Sequence, residues 1–320
     1  MLIVQKFGGS SLADTEKLRH AAEKCRDSIR HGNETVLVVS AMGDTTDELE
    51  KLAHSISSTP PAREMDALLT TGEQQSAALT AIMLESIGVP AHSFSGWQAG
   101  VFTDKRHGDA DIAVMAPGRI REALRQGLVP VVSGFQGLSP AGDITALGRG
   151  GSDTTAAALA AALGADRCEI YTDVDGIYTA DPRLIAGAKK LERIDYRDML
   201  RLARAGSQVL HPKSVELALL ERVELRVLGT FAEGNGSTVC SLREEERPPF
   251  VGVTRDAARR ELTLVGRAAG ADALSALVLT LADRGIQVLS GSVSDGSVTV
   301  KVSPAQLSAA LDAAHALIVS

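Results

Sequence analysis

The sequence contains few cysteines and no long apolar segment. Its three cysteines, Cys25, Cys168 and Cys240, are far apart and odd in number. Because no CxxC or Cys/His spacing accompanies them, they indicate reduced, mostly buried thiols, and no protein metal site is predicted. No apolar segment approaches the ~18 residues of a membrane span, and the first residues lack the charged and apolar regions of a signal peptide. We therefore expect a cytoplasmic protein with no membrane partner.

Aromatic residues are also scarce, at 3% of 320 residues. The core must therefore be built from aliphatic side chains, as in parallel sheets covered by helices. A hydrophobic content of 44% with 23% charged residues is ordinary for a globular protein, and the length suits two domains. A net charge of −7 shows no basic excess, which argues against nucleic acid as a partner. Any bound phosphate would then need a local site.

Short apolar segments alternate with helical patterns through residues 1–242. The predicted strands lie at 2–5, 35–40, 129–133 and 168–172. The predicted helices lie at 14–30, 68–87 and 154–163. The first helix would bury the face formed by Leu18, Ala21, Ala22 and Cys25. This alternation predicts an α/β protein, a three-layer αβα sandwich with a mainly parallel central sheet.

The composition changes at 243–249 (REEERPP), where charges and two prolines interrupt the pattern, and we interpret this segment as a linker. The strands predicted after it lie at 250–254, 262–265, 286–289, 297–302 and 317–319. The helices lie at 273–284 and 304–314, and a turn at 294–296. Behind an entry strand, this order is the β-α-β-β-α-β arrangement of a ferredoxin-like α+β module. The predicted domains are therefore 1–242 and 250–320.

A glycine turn follows the first predicted strand, in the sequence KFGGSS. Gly8 and Gly9 would let the backbone approach a phosphate closely, and Lys6 could reach the transferred group. The spacing is not that of a P-loop. Taken alone, an ordinary turn with a solvated lysine is the simpler interpretation.

Three further segments carry polar groups in positions suited to a ligand. In LGRGGSDT, Arg149 lies between glycines and could bind a carboxylate, although Ser152 or Asp153 could also simply cap the next helix. A loop rich in Asp, Gly and Pro, residues 173–183, follows a strand end, where α/β sheets bind ligands. Glu73 could receive an ammonium group or could only favour its helix N-terminus.

Together these segments resemble one family, the aspartate kinases of the amino-acid kinase superfamily. The matching strings include QKFGGSSLAD (5–14), VVSAMGDTTDEL (38–49), PAREMDALLTTGEQ (61–74), FSGWQAGVFTDKRHG (94–108) and HPKSVELA (211–218). A longer match covers 134–183, and the resemblance is nearly continuous to about residue 240. KFGGSS, TTGE and GRGGSD occur together in aspartate kinases and not in the related uridylate, glutamate or acetylglutamate kinases.

The resemblance implies a role for each matching residue. Lys6 and Asp153 would be catalytic, with Asp153 orienting Lys6 and the amino acid. The ATP site would comprise Lys6, Gly8, Gly9, Ser10, Thr172, Asp173, Tyr178, Asp181, Arg183 and Lys213. The aspartate site would comprise Thr46, Glu73, Arg149, Gly150, Gly151 and Ser152.

The implied reaction is transfer of a phosphoryl group from MgATP to L-aspartate, giving ADP and 4-phospho-L-aspartate. This is the first step of lysine, threonine and methionine biosynthesis, and Mg²⁺ would arrive with the nucleotide. A kinase of another small carboxylate and an inactive amino-acid sensor built on the same fold are the alternatives.

The C-terminal part departs from the pattern of the family. Aspartate kinases typically carry two ferredoxin-like ACT modules, whereas residues 250–320 suffice for one. The usual ligand-binding turn is replaced by GRAAGAD at 266–272, which lacks proline. We therefore expect feedback control by lysine or threonine to be reduced or lost. Because so small a module leaves an apolar edge, we also expect a homodimer.

Overall fold

A computed structural model of the chain describes residues 1–319. The strands of this part, in chain order, are β1 (Leu2–Phe7), β2 (Glu34–Val39), β3 (Ala91–Phe94), β4 (Val101–Thr103), β5 (Ile112–Met115), β6 (Val129–Ser133), β7 (Gln136–Leu138), β8 (Ile144–Ala146), β9 (Arg167–Thr172), β10 (Ile177–Tyr178), β11 (Lys190–Leu191), β12 (Arg193–Asp195), β13 (Leu225–Gly229), β14 (Ser237–Cys240), β15 (Gly252–Asp256), β16 (Glu261–Val265), β17 (Ser290–Ser294) and β18 (Ser297–Lys301).

The α-helices are α1 (Thr15–Arg30), α2 (Thr45–Ile56), α3 (Ala62–Leu69), α4 (Thr71–Ser86), α5 (Gly118–Arg125), α6 (Gly151–Leu163), α7 (Tyr196–Arg204), α8 (Pro212–Glu221), α9 (Ala271–Asp283) and α10 (Leu307–Val319). Short 3₁₀ helices occur at Gly9–Leu12, Glu244–Glu246 and Pro304–Gln306. No helix of residues 1–319 is both long enough and apolar enough to cross a membrane.

The chain packs into two compact units. Unit 1 consists of Met1–Asp175 with Leu220–Gly234, and unit 2 consists of Gly176–Leu219 with the chain from Asn235 onward. These units follow packing, whereas the domain boundaries at 242 and 250 follow composition and stay a prediction.

The main sheet of unit 1 has six parallel strands in the order β13-β9-β1-β2-β6-β3. Valine and isoleucine are frequent in β1, β2 and β6, and β2 and β6 are buried over almost their whole length. Parallel strands covered on both faces require such continuous apolar segments. Since the strands are parallel, their carboxyl ends meet at one edge of the sheet, where ligands bind in proteins of this architecture.

Helices cover both faces of this sheet. Phe7 packs into a cluster with α1 and α4, to which α1 contributes the predicted face of Leu18, Ala21, Ala22 and Cys25. Successive side chains of a strand point to opposite faces, and Lys6 contacts α6. The predicted sandwich with a mainly parallel sheet is therefore present.

A second sheet of unit 1 has the order β5-β4-β7-β8. Its β4 and β7 pair in parallel, whereas the two outer pairs are antiparallel. Helix α3 packs against β8, whose chain continues directly into the GRGG segment. This small sheet thus supports the glycine-rich loop that precedes α6.

Unit 2 contains an antiparallel sheet in the order β15-β16-β18-β17, with α9 and α10 packed against it. Two short strand pairs, β12 with β14 and β10 with β11, belong to the same unit. The segment predicted as a solvated linker is partly built into the unit, because Arg247 is only 6% exposed. Its guanidinium donates two hydrogen bonds to Asp198, at 2.8 and 2.9 Å.

Three predicted elements differ from the structure. The helix predicted over 68–87 is interrupted at Thr70, where the Thr70 carbonyl accepts a hydrogen bond from Gln136 Nε2 at 2.9 Å. The strand predicted over 286–289 is absent, because Ile286 closes the end of α9 by donating to the Leu281 carbonyl, and β17 begins at Ser290. The strand predicted over 317–319 is part of α10.

Candidate active site

The two predicted catalytic residues are in contact at the carboxyl edge of the main sheet. Lys6 is the penultimate residue of β1, and Asp153 lies in the first turn of α6. Lys6 Nζ lies 2.7 Å from Asp153 Oδ1, and the two side chains are only 11% and 13% exposed. An ion pair so well shielded holds the ammonium group in a fixed position beside the turn that follows β1.

The turn after β1 brings main chain close to the end of β2. A Cβ atom on Gly9 would lie 2.6 Å from the Ala41 carbonyl oxygen, so a larger residue does not fit there. Gly43 donates its N–H to the Gly9 carbonyl at 3.0 Å. On the other side, a Cβ atom on Gly8 would lie 3.5 Å from Lys6 Nζ. Glycine at position 8 leaves space next to a fixed cation, glycine at position 9 lets the turn approach Ala41, and Ser10 beyond them is exposed.

Two glycines with positive φ shape the loop before α6. Gly148 has φ 73° and Gly150 has φ 71°, a conformation that favours glycine. The first hydrogen bond characteristic of the helix runs from the Thr154 N–H to the Gly150 carbonyl. The preceding N–H groups, those of Ser152 and Asp153, therefore remain available to an anion. Arg149, between the two glycines, is exposed and forms no ion pair with any residue in 1–319.

Glu73 occupies an unusual position for a carboxylate. It lies in the first turn of α4 and is 4% exposed. Its Oε1 accepts the Ala41 N–H at 3.0 Å, whereas Oε2 is buried and has no hydrogen-bond partner within residues 1–319. Burial raises the pKa of Glu73 to about 7, although the Ala41 N–H, its own N–H and the charge of Lys6 lower it. A buried acceptor without a donor indicates a place for a ligand donor.

Thr46 and Glu73 lie on neighbouring helices. Thr46 is the second residue of α2, and Thr45 beside it is close to Gly72, where a Cβ atom would lie 3.4 Å from Thr45 Cγ2. The same Cβ atom would lie 2.9 Å from Ala41 Cβ. The start of α4 can therefore lie this close to Ala41 only with glycine at position 72.

The remaining predicted nucleotide residues are distributed over both units. Thr172 and Asp173, in unit 1, follow β9 and hydrogen-bond to each other at 3.0 Å. Asp181 and Arg183, in unit 2, form a bidentate ion pair at 2.9 and 3.1 Å, and this contact with Arg183 lowers the pKa of Asp181. The other two residues of unit 2 are Tyr178, which ends β10, and Lys213, in the first turn of α8. The nucleotide roles of these residues stay predictions.

Two features of the site could not be seen in the sequence. The Ala41 main chain meets both Gly9 and Glu73, and nothing in an alanine reveals this. Buried Asp66 accepts hydrogen bonds from His107 and Gly108. The one signal of Asp66 in the sequence is a carboxylate among the apolar residues of AREMDALL.

A parallel sheet that presents a glycine turn, a fixed lysine and a helix N-terminus at one edge defines a protein that binds phosphorylated ligands. The model of the amino acid kinase family matches residues 1–229. Aspartokinase of Corynebacterium efficiens is 51% identical over 269 residues, covering 83% of this chain and 64% of the relative. Aspartokinase of Thermus thermophilus is 46% identical over 287 residues, covering 90% of this chain and 71% of the relative.

A solved structure, E. coli aspartokinase III in complex with aspartate and ADP, is similar with a TM-score of 0.71 at 27% identity. It covers 94% of this chain and 78% of that one. The chain belongs to the amino acid kinase family and, within it, to the aspartokinases. It spans 64% of the length of the Corynebacterium relative.

Proposed function

We propose that this protein is an ATP-dependent aspartate kinase that forms 4-phospho-L-aspartate and ADP. The observation that carries the proposal is the buried Oε2 of Glu73, which has no hydrogen-bond partner within residues 1–319. Glu73 lies close enough to Lys6 for the lysine charge to lower the pKa of Glu73. A buried carboxylate of this kind suits the α-ammonium group of an amino acid. E. coli aspartokinase III, a structural relative, was solved with aspartate and ADP.

In the aspartate site, each charged group at the substrate Cα meets a side chain of opposite charge. Glu73 Oε2 accepts hydrogen bonds from the α-ammonium group, and Thr46 lies on the adjacent helix. Arg149 binds the α-carboxylate, since a guanidinium matches a carboxylate with two parallel hydrogen bonds. Gly150, Gly151 and Ser152 line the same loop. These contacts fix both charged groups at the aspartate Cα, so that the side-chain carboxylate alone is free to react.

The phosphate site consists of the glycine turn and Lys6. Gly8 leaves room for phosphate oxygens beside Lys6, because a Cβ atom there would point toward the ammonium group, and Gly9 keeps the turn close to Ala41, so that its main-chain N–H groups can face the phosphates. Lys6 offsets the negative charge on the transferred phosphoryl group. In unit 1, Ser10, Thr172 and Asp173 are further proposed nucleotide contacts. The proposed nucleotide roles of Tyr178, Asp181, Arg183 and Lys213, in unit 2, rest on the resemblance to aspartate kinases.

The reaction needs no general base. A side-chain carboxylate is ionised at neutral pH, so its oxygen attacks the γ-phosphorus directly while the bond to the leaving ADP oxygen breaks. Asp153 holds the Lys6 ammonium group 2.7 Å from its own carboxylate and acts as an organiser of the site. The catalytic gain then comes from alignment and charge neutralisation of two mutually repelling anions.

Mg²⁺ would enter with the nucleotide. Residues 1–319 contain no cluster of three or more His, Cys, Asp or Glu side chains that could hold a metal ion. Mg²⁺ commonly keeps several waters and binds substrate phosphates with only one or two protein carboxylates, so waters and the phosphates of ATP would supply most of its ligands. When bound, the ion neutralises phosphate charge.

The biological setting follows from the proposed activity. The product is the activated form of aspartate from which lysine, threonine and methionine biosynthesis begins. We place the enzyme in the cytoplasm, where ATP and aspartate are available, and propose that it works as a homodimer.

An acceptor screen tests the proposed function. ADP release should be measured with L-aspartate, D-aspartate, L-glutamate and succinate under identical conditions. Succinate has the same two carboxylates but no ammonium group for Glu73, and D-aspartate reverses the configuration at Cα. We expect L-aspartate to be the best acceptor, by at least about a hundredfold over succinate, because succinate cannot form the buried charged pair with Glu73. Faster turnover of any other acceptor would contradict the proposal.

A further inference from the structure

Asp66 is a buried carboxylate outside the predicted site. It lies in α3 and is 1% exposed. Its Oδ2 lies 2.7 Å from His107 Nδ1, and the Gly108 N–H donates to Oδ1 at 3.0 Å and to Oδ2 at 3.1 Å. A carboxylate that is removed from water and receives several hydrogen bonds holds its partners firmly.

The loop held by Asp66 lies directly behind the GRGG segment. A Cβ atom on Gly148 would lie 2.6 Å from Asp109 Oδ1 and 3.1 Å from the Gly108 carbonyl oxygen. The Ala110 N–H donates to the Ala146 carbonyl at 2.9 Å. Residues 108–110 therefore run along residues 146–148 and fix where the chain leaves β8. Arg149 is the next residue.

The main chain of Asp66 connects it to the segment before Glu73. Thr70 donates both its N–H and its hydroxyl to the Asp66 carbonyl, at 3.2 and 2.7 Å. The Thr70 carbonyl in turn accepts Gln136 Nε2 at 2.9 Å. Glu73 follows three residues later, in the first turn of α4. Asp66 is thus bonded through its side chain to the loop behind Arg149 and through its main chain to the junction before Glu73.

We infer that Asp66 is a positioning residue for the amino-acid substrate, which sets the separation of Arg149 and Glu73 through His107 and Gly108. This inference rests on the proposed function, because it assigns Arg149 and Glu73 to the two charged groups at the aspartate Cα. A substrate held at two fixed points is sensitive to small errors in their separation. The contacts that Asp66 makes with His107, Gly108 and Thr70 do not include the glycine turn after β1.

The test compares two buried carboxylates by the same substitution. In Asp66→Asn, the negative charge is lost and only one side-chain oxygen remains to accept, so the amide cannot accept from both His107 and Gly108 as the carboxylate does. We expect the KM for aspartate to rise about tenfold, while the KM for ATP stays within about twofold. The control is Asp195→Asn, because Asp195 is 2% exposed and accepts the N–H groups of Arg197 and Leu242, both at 3.0 Å. The control should lower thermal stability and leave both KM values unchanged.

A pair of His107 variants keeps the test decisive if Asp66→Asn folds poorly. Asparagine at 107 retains a side-chain donor for Asp66, so His107→Asn should behave almost as the wild type. His107→Leu removes the donor and should raise the KM for aspartate alone. KM does not depend on the amount of folded enzyme, which separates positioning from a mere loss of protein.

The outcomes distinguish the inference from the proposed function. If the wild type transfers phosphate to aspartate but Asp66→Asn and His107→Leu leave the KM for aspartate unchanged, the positioning role is wrong and the function stands. An equal rise of both KM values would also contradict it, since that indicates general loosening. A wild type without aspartate-dependent turnover would remove the proposed function and this inference together.

Discussion

Glu73 ionises in a place that disfavours its charge, and this has a measurable effect on stability. Burial raises the pKa of Glu73 from 4.5 to about 7 in the ligand-free protein. Below pH 4.5 the carboxyl is neutral in both the folded and the unfolded chain, so it costs nothing. As pH rises toward 7 the unfolded chain releases the proton first, and the free energy of unfolding falls.

We therefore predict that Glu73→Gln stabilises the ligand-free protein, relative to the wild type, more at pH 8 than at pH 4.5. The gain should be on the order of 2–3 kcal/mol, from about 1.4 kcal/mol for each unit of pKa shift. Urea unfolding of the wild type and the variant at both pH values measures it. A difference between the two proteins that does not change with pH would contradict the raised pKa.

The same ionisation predicts a pH dependence of substrate binding. Only the carboxylate form of Glu73 attracts an ammonium group, so the KM for aspartate should rise as pH falls through about 7. Between pH 8 and pH 6 the rise should be about tenfold, because roughly nine in ten molecules carry the neutral form one unit below the pKa. The KM for ATP serves as the internal control. A KM for aspartate that stays flat over this range would exclude Glu73 as the ammonium partner.

Lys6 has a different role, which predicts an effect on turnover. Its ammonium group is held by Asp153 next to the space above Gly8. Lys6→Met should lower kcat by about a thousandfold, as for other groups that stabilise charge in the transition state. The matched control is Lys17→Met, which removes a surface lysine paired with exposed Asp14. Steady-state kinetics of both variants would show whether the loss is specific, and a Lys6 variant with kcat near the wild type would contradict the catalytic role.

The segment between residues 243 and 249 is held by a buried ion pair rather than left free. Arg247 and Asp198 are 6% and 0% exposed, and Arg201 donates to the same carboxylate at 2.8 Å. Arg201 also reaches Asp295 in the turn between β17 and β18, at 2.7 Å. One network therefore joins α7, the segment after β14 and the antiparallel sheet of unit 2.

We predict that Arg247→Met lowers the free energy of unfolding by about 3 kcal/mol, because it leaves a buried carboxylate with one partner fewer. Arg243→Met is the matched control, since Arg243 is exposed and its ion pairs within residues 1–319 are with glutamates of its own turn. The control should change stability by less than about 0.5 kcal/mol. Chemical denaturation compares the two variants, and equal stabilities would show that the Arg247 pair contributes nothing.

Sequence reasoning succeeded where a pattern is local and repeated. The helix from 14 to 30 was predicted with its buried face, because apolar residues recur at helical spacing and Asp14 caps the first turn. It failed at Thr70, where a long apolar pattern continues across a break that depends on a distant side chain, Gln136. It also failed at 286–289 and 317–319, since an apolar residue can close a helix or continue one as well as form a strand.

The candidate site shows the same division. Glycines and charged residues identified the loops, but the contact of Lys6 with Asp153 joins residues 147 positions apart and follows only from the fold. The environment of Glu73 depends on main-chain atoms of Ala41, which carry no sequence signal. Asp66 was overlooked for a related reason, because its partners lie in a loop about forty residues away.

The exposed edge of the antiparallel sheet in unit 2 bears on the assembly. All five residues of β17 are exposed, Val293 by 45%, and β17 lies at the end of the strand order. Leu289 just before it is 59% exposed. An exposed edge strand offers free main-chain groups to a second chain, which supports the expected homodimer.

We predict that the wild type sediments as a dimer and that Val293→Lys shifts it toward the monomer, because a charge on an edge strand opposes pairing. Val114→Lys is the matched control, as Val114 is 55% exposed on β5 of unit 1. Sedimentation velocity over a range of concentrations distinguishes the two. A dimer that survives in Val293→Lys but not in Val114→Lys would place the contact on the other unit.

The central claim concerns the acceptor of the phosphoryl group, and one measurement tests it directly. Hydroxylamine converts an acyl phosphate into a hydroxamate, which can be quantified beside the ADP formed in the same reaction. With ATP, Mg²⁺ and L-aspartate, we predict one aspartyl hydroxamate for each ADP, and no significant change on adding lysine or threonine. ADP formation without hydroxamate, or no aspartate-dependent product at all, would contradict the assignment as an aspartate kinase.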